Sequence, residues 1–228
     1  MRGYPILMKK KVITFDCYGT LLDTASFEEE LGRIAEENGL NPTEIQALFA
    51  CNEARMMYAE PFRRLDTLIP AILERCDMQL GAHCMARYGE RMIEAQKALR
   101  PFPEVLGTLQ ILKKRGYSLA LMSNSCHTIM AGNAAALGSP FEQMVLAEDV
   151  RAYKPQLSFF EMAESVLDLK NAQHCHVAQG YFYDVIPAAQ MGWKRLWINR
   201  CGELGNPAQQ PYTEVRSLEQ ILPLFPAC

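Results

Sequence analysis

Short unbroken apolar runs and stretches of helical spacing share the chain between them, and their order predicts its architecture. The run Val12-Ile13-Thr14-Phe15 ends on the carboxylate of Asp16, and Gly19 follows three residues later. A run of that length closed by a glycine turn predicts a buried strand that delivers Asp16 to the edge of a sheet. Residues 24–99 then carry helical spacing and no strand-like alternation. Ser26 is the expected N-cap of a first helix, with Glu28, Glu29 and Glu30 in its first turn and Gly39 at its end. Asn41-Pro42-Thr43-Glu44 opens a second helix, and breaks are expected at Glu60-Pro61, Pro70, 77–81 and Gly89.

From Arg100 onward the two patterns alternate. Helices are expected over 103–115, from Ser125 to about 138, over 156–167 and 184–191, and at the C-terminus over 217–224. Strands are expected over 118–122, 144–146, 174–178, 194–198 and 213–216. Strand and helix in alternation define an α/β fold, a doubly wound parallel sheet with helices on both faces. The expected division is an α/β core of residues 1–23 and 100–228, with residues 24–99 inserted after the first strand as an all-helical cap. Open parallel sheets bind ligands at the carboxyl ends of their strands, which places the cap over Asp16.

Composition narrows the partners. The 228 residues are 49% apolar and 21% charged, with a net charge of −3 and no basic stripe. Nucleic acid and anionic membrane surfaces are therefore not expected partners, whereas a small anionic substrate stays open, because local positive charge decides that. No apolar run approaches the roughly 20 residues of a membrane span. The Tyr-Pro-Ile-Leu-Met patch within residues 1–10 is too short for a signal-peptide core. It reads as a frayed leader, with Met8 as a second possible start. The eight cysteines are scattered without metal-ligand spacing, which predicts free thiols and a cytoplasmic location.

Four polar positions fall just after strands or at helix starts: Asp16, Ser123-Asn124, Lys154 and Asp184. In a doubly wound sheet these converge on one edge. An aspartate there can act as a covalent nucleophile, or simply cap a turn. Ser123-Asn124 can present backbone N–H groups to an anion, or cap the following helix. Lys154, held out of the next helix by Pro155, can keep Asp16 ionised, or lie on the surface. Asp184 can serve the site or the helix dipole. Arg55, Arg63 and Arg64 read as solvated helix positions, and His174 and His176 as structural residues of a strand.

Phe15-Asp16-Cys17-Tyr18-Gly19-Thr20-Leu21, Ser123-Asn124, Tyr153-Lys154-Pro155 and the stretch from Gln179 to Asp184 occur in the order of the four motifs of the haloacid dehalogenase-like hydrolases. The chain resembles that superfamily across its core, and Tyr18 makes it similar to the 2-haloacid dehalogenase branch. Phosphatases of the superfamily carry a second aspartate at that position as general acid, and a phenol is a poor proton donor at neutral pH. The resemblance implies that Asp16 is the nucleophile and that Lys154 and Asp184 are catalytic. It implies that Tyr18, Ser123, Asn124, Gln179 and Tyr181 contact a small 2-substituted carboxylic acid. No cofactor is expected. Gln179 replaces a metal-binding aspartate, and a weakly bound magnesium ion would fall to Asp16, Tyr18 and Asp184. A homodimer is possible in this branch.

The chain departs from the branch in places. Cys51 stands where a halide-binding arginine is expected, with Arg55 one turn further on, and Phe160 replaces an aromatic hydroxyl. Asn52-Glu53 and the Val177-Ala178-Gln179-Gly180 stretch are similar to a related branch that opens azetidine-2-carboxylate, so amine is the second leaving group. A magnesium phosphatase and a catalytically retired binding protein are the further alternatives.

Overall fold

The computed structural model describes residues 9–227. The leader reading for the first residues lies outside the described residues. The chain forms the expected parallel sheet. Its strands are β1 (Lys11–Phe15), β4 (Ser118–Ser123), β5 (Gln143–Leu146), β6 (Gln173–Ala178), β7 (Arg195–Ile198) and β8 (Thr213–Val215), ordered β5-β4-β1-β6-β7-β8. All neighbours pair parallel, with Phe15 opposite Leu121 on one side and Val177 on the other. Strand order reverses between β1 and β6, so their carboxyl ends flank the crevice where such sheets bind ligands. Side chains alternate across β1. Ile13, Phe15 and Cys17 join one apolar cluster with Leu119 and Leu121, and Val12 joins a second with Met122 on the other face.

The insertion is helical. A two-stranded antiparallel ribbon, β2 (Leu22–Asp23) and β3 (Arg100–Pro101), ties its ends together. Between them run α1 (Ala25–Glu37), α2 (Pro42–Met56), α3 (Leu65–Leu80) and α4 (Gly89–Lys97). Their apolar faces, including Leu31, Ile34, Ile45, Phe49, Leu68 and Ile72, pack together within the Val12 and Met122 cluster. Asn41 caps α2 as expected, accepting from the Thr43 and Glu44 N–H groups. Ser26 does not cap α1. It lies inside the first turn, and Asp23 accepts the Ala25 N–H instead.

One expected break is absent. Pro70 lies inside α3. A Cβ added to Gly89 would stand 2.9 Å from the Pro70 Cβ, so the glycine lets the start of α4 close on the proline ring. The break expected over 77–81 falls at Gly81, which closes α3 in the left-handed region, and the Asp77 carboxylate in the last turn accepts the N–H groups of Cys84, Met85 and Ala86. Three such bonds hold it below the usual carboxylate range despite the opposing effect of burial.

The remaining helices are α5 (Val105–Lys114), α6 (His127–Ala136), α7 (Ala147–Val150), α8 (Leu157–Val166) and α9 (Ile186–Gln190). Gly180 to Val185 is not the start of an ordinary helix. It makes a wide π turn, in which both Asp184 N–H and Val185 N–H donate to the Gly180 carbonyl. The expected C-terminal helix is a 3-10 helix, Leu218–Leu224. Among the described residues no helix is long and apolar enough to cross a membrane, and the described cysteines are free thiols.

Candidate active site

Asp16, Lys154 and Asp184 meet at the carboxyl edge of the sheet. Lys154 Nζ donates to Asp16 Oδ1 at 2.7 Å, to Asp184 Oδ1 at 2.7 Å and to the Met122 carbonyl at 3.1 Å. All three groups are buried. The second Asp16 oxygen accepts the Thr20 hydroxyl at 2.6 Å, and Thr20 Oγ1 in turn accepts the Gln179 N–H at 2.7 Å. Gly19 makes this turn possible. Its φ is +75°, and a Cβ there would lie 3.1 Å from Gln179 Oε1.

The charges are strongly coupled. Burial pushes the Asp16 carboxyl above its ordinary value and Asp184 adds to this, while Lys154 and Thr20 oppose it. Burial works against the Lys154 ammonium, but Asp16 and Asp184 outweigh it and hold that group above the usual lysine range. Burial likewise opposes the Asp184 carboxylate, yet Lys154 and His176 keep it below the usual range. The lysine is thus a fixed internal cation between two carboxylates, not a surface residue.

Asn124 acts on Lys154 from behind. Its Oδ1 accepts the Lys154 N–H at 2.7 Å and its Nδ2 donates to the Lys154 carbonyl at 3.0 Å, which also accepts the Tyr58 hydroxyl at 2.8 Å. Asn124 also lines the cavity above Asp16. Ser123 does not line it. Its hydroxyl is fully buried with no hydrogen-bond partner among the described residues, and neither residue caps α6, whose N-cap is Cys126. Tyr18 lines the cavity with its hydroxyl already engaged, 2.8 Å from Ser125 Oγ and donating to Asn133 Oδ1 at 3.0 Å. Burial raises the phenol further.

Tyr181 is a correction. The wide turn carries it away from the cavity, its ring packs on Trp197 with centroids 4.6 Å apart, and its hydroxyl bonds the Asn206 backbone. Tyr183 lines the cavity in its place. Cys51 and Arg55 are exposed, Arg64 pairs with Asp66 and Glu148, and no arginine among the described residues lines the cavity. Phe160 packs on His176 and Trp193.

His176 is the residue that sequence reasoning missed. Its Nε2 lies 3.0 Å from Asp184 Oδ1 and its Nδ1 2.8 Å from Thr14 Oγ1, which also lies 2.8 Å from His174 Nε2. A carboxylate only accepts, so His176 Nε2 carries the proton. In its neutral form the ring then accepts the Thr14 hydroxyl at Nδ1. Thr14 and His176 are cross-strand neighbours in register, a relationship that alternation within β6 alone does not reveal.

The cavity holds about 220 Å³ and is lined by Asp16, Tyr18, Asn124, Lys154, Gln179 and Tyr183, with a roof from the helical insertion. Its volume is below the roughly 300–1,000 Å³ of drug-sized sites. A larger cleft of about 950 Å³ lies at the opposite edge of the sheet, around Lys11, His174 and Trp193. The side chains proposed for magnesium do not fit that ion. Lys154 Nζ already occupies one oxygen of Asp16 and one of Asp184, the Tyr18 hydroxyl is committed elsewhere, and Gln179 supplies an amide.

This fold matches known proteins. A model of the haloacid dehalogenase-like hydrolases matches residues 10–192, and the chain belongs to that family. It is 31% identical over 222 residues to an (S)-2-haloacid dehalogenase of Pseudomonas sp. (strain YL), covering 94% of each chain. It is 30% identical over 231 residues to haloacetate dehalogenase H-2 of Moraxella sp. (strain B), covering 96% of this chain and 99% of that one. Solved structures share the fold. A dehalogenase intermediate complex superposes with a TM-score of 0.82 at 23% identity, over 97% of this chain and 99% of the other. L-2-haloacid dehalogenase from Xanthobacter autotrophicus, with chloropropionic acid covalently bound, gives 0.79 at 17% identity, over 94% and 98%. The chain is a hydrolase.

Proposed function

We propose that this hydrolase acts on small 2-substituted carboxylic acids, 2-haloacids foremost, through an ester formed on Asp16. The observation that carries this is the buried Asp16 on the floor of a small cavity, oriented by Lys154 on one oxygen and Thr20 on the other. A carboxylate fixed in this way attacks the substrate Cα, and the bonding pair leaves with the halogen. Tyr18 is not placed to protonate a leaving group, because its hydroxyl serves Ser125 and Asn133. Halide needs no proton. Water then attacks the ester carbonyl, with Asp184 as the adjacent base held by Lys154 and His176. Residues 24–99 act as the cap over a core of 1–23 and 100–228, and Asn124 together with Gln179 receives the substrate carboxylate. The names of the curated relatives support the same substrate class.

The test is chloride release from 2-chloropropanoate by the unaltered protein and by Asp16→Asn. Release by the first and none by the second is expected. Equal release from both, or none from either, contradicts the proposal.

A further inference from the structure

Backside displacement fixes where the leaving group goes. Asp16 rises from the sheet edge, so a group displaced from Cα departs towards the opposite wall, which the helical insertion supplies. That wall contains Phe27, Met57, Leu65 and Ile69, which are apolar, and Glu53 from α2. The other polar side chain from the insertion, Gln96, sits beside the Tyr18 hydroxyl. Among the described residues no guanidinium lines the cavity, and Arg55, two residues beyond Glu53, is exposed.

We infer that Glu53, as a neutral carboxylic acid, donates a hydrogen bond to the departing group and thereby sets leaving-group preference. This rests on the proposed displacement at Asp16. The atoms balance without proton transfer. The Asp16 oxygen–Cα bond forms, the Cα–halogen bond breaks, the electron pair leaves as halide, and Glu53 keeps its proton.

Electrostatics favour the neutral acid. Burial among apolar side chains pushes the Glu53 carboxyl up to about 7. The titratable groups around it are Asp16, Lys154 and Asp184 on the sheet side and Tyr18, Tyr58, Tyr153 and Tyr183 around the rim. Asp16, Lys154 and Asp184 together carry one net negative charge when ionised, and a bound carboxylate substrate adds another. Both oppose ionisation of Glu53. An ionised Glu53 would repel substrate and halide alike. Of the halides, fluoride is the strongest hydrogen-bond acceptor and gains most from a neutral donor.

The experiment compares 2-fluoro-, 2-chloro- and 2-bromopropanoate with unaltered protein, Glu53→Gln and Glu53→Ala. In the unaltered protein kcat/KM should fall as pH rises through about 7, most steeply for the fluoro acid. Glu53→Gln, which keeps an N–H donor, should lose that pH limb and retain part of the fluoro activity. Glu53→Ala should lose about tenfold more activity on the fluoro acid than on the bromo acid. Equal losses on all three acids, or a pH limb that survives Glu53→Gln, overturn the inference.

Failure of the underlying reading is separable, because it appears as turnover of none of the acids by the unaltered protein. Glu53 is then decided in the unreactive Asp16→Asn protein. Binding of 2-fluoropropanoate should shift the infrared carbonyl band of the Glu53 acid, identified by its loss in Glu53→Gln, and move its titration to higher pH. Absence of binding or of that shift overturns the inference.

Discussion

Lys154 Nζ lies 2.7 Å from Asp16 Oδ1, and the two side chains are almost fully buried together. The same nitrogen holds Asp184 at 2.7 Å, so one cation neutralises half of a buried pair of carboxylates. Replacing it by a chain of similar length, Lys154→Met, strands both carboxylates in a dry site. Loss of about 3–5 kcal/mol in stability is expected. Activity should fall roughly a hundred- to a thousandfold in kcat. Urea unfolding and steady-state kinetics on one preparation check both.

The pH dependence of stability follows from the directions of the three shifts. Asp184 is depressed, so its contribution is present above the unfolded-state value and is lost as pH falls through its folded value. Lys154 is raised, so its contribution is present below the unfolded-state value and is lost as pH rises through its folded value. Asp16 has the opposite sign. Its carboxyl is raised, so ionisation at neutral pH costs stability, and that cost fades below the unfolded-state value. Asp16→Asn should therefore be inactive yet more stable at neutral pH by about 1 kcal/mol. The gain should shrink in acid, as read from urea midpoints across pH. A variant less stable than the parent at neutral pH contradicts this sign.

His176 Nε2 is 3.0 Å from Asp184 Oδ1, and Thr14 holds the far side of the ring. His176→Phe preserves the packing against Phe160 and Trp193 but removes the donor. A roughly 10- to 100-fold fall in kcat is expected, with KM little changed. Gln in the same position, which retains an N–H, should recover part of it. A fall in KM and kcat together, unrelieved by Gln, would point to general misfolding of the edge.

Gly19 tests the turn that carries the nucleophile. Gly19→Ala imposes a side chain at φ +75° and 3.1 Å from Gln179 Oε1. A destabilisation of about 1–2 kcal/mol is expected from the backbone alone. Displacement of Gln179 should also loosen the Thr20 bond to Asp16, lowering activity beyond what the stability loss explains. Thermal melting beside kinetics well below the melting temperature separates the two effects.

What was legible in the chain was what is local. Asp16, Lys154 and Asp184 each follow a strand pattern, so a doubly wound fold brings them to one edge without knowledge of partners. Long-range partners were not legible. His176 reads as a strand residue until register sets it beside Thr14, and Thr20 is a small residue whose value appears only when Gln179 arrives 159 residues later. Tyr181 was misplaced because a π turn over Tyr181–Val185 precedes the helix expected over 184–191 and its ring packs on Trp197. Asn124 holds Lys154 as well as lining the cavity, a role visible only across thirty residues. Pro70 reads as a break, yet α3 continues through it and the start of α4 at Gly89 closes on its ring.

The central claim, an ester on Asp16, is tested most directly by oxygen labelling in heavy-oxygen water. With enzyme in excess over 2-chloropropanoate, the first-turnover 2-hydroxy acid should carry unlabelled oxygen taken from Asp16. Over many turnovers the peptide containing Asp16 should gain the heavy isotope, as mass spectrometry would show. Solvent oxygen in the first-turnover product, with Asp16 unlabelled throughout, would contradict it.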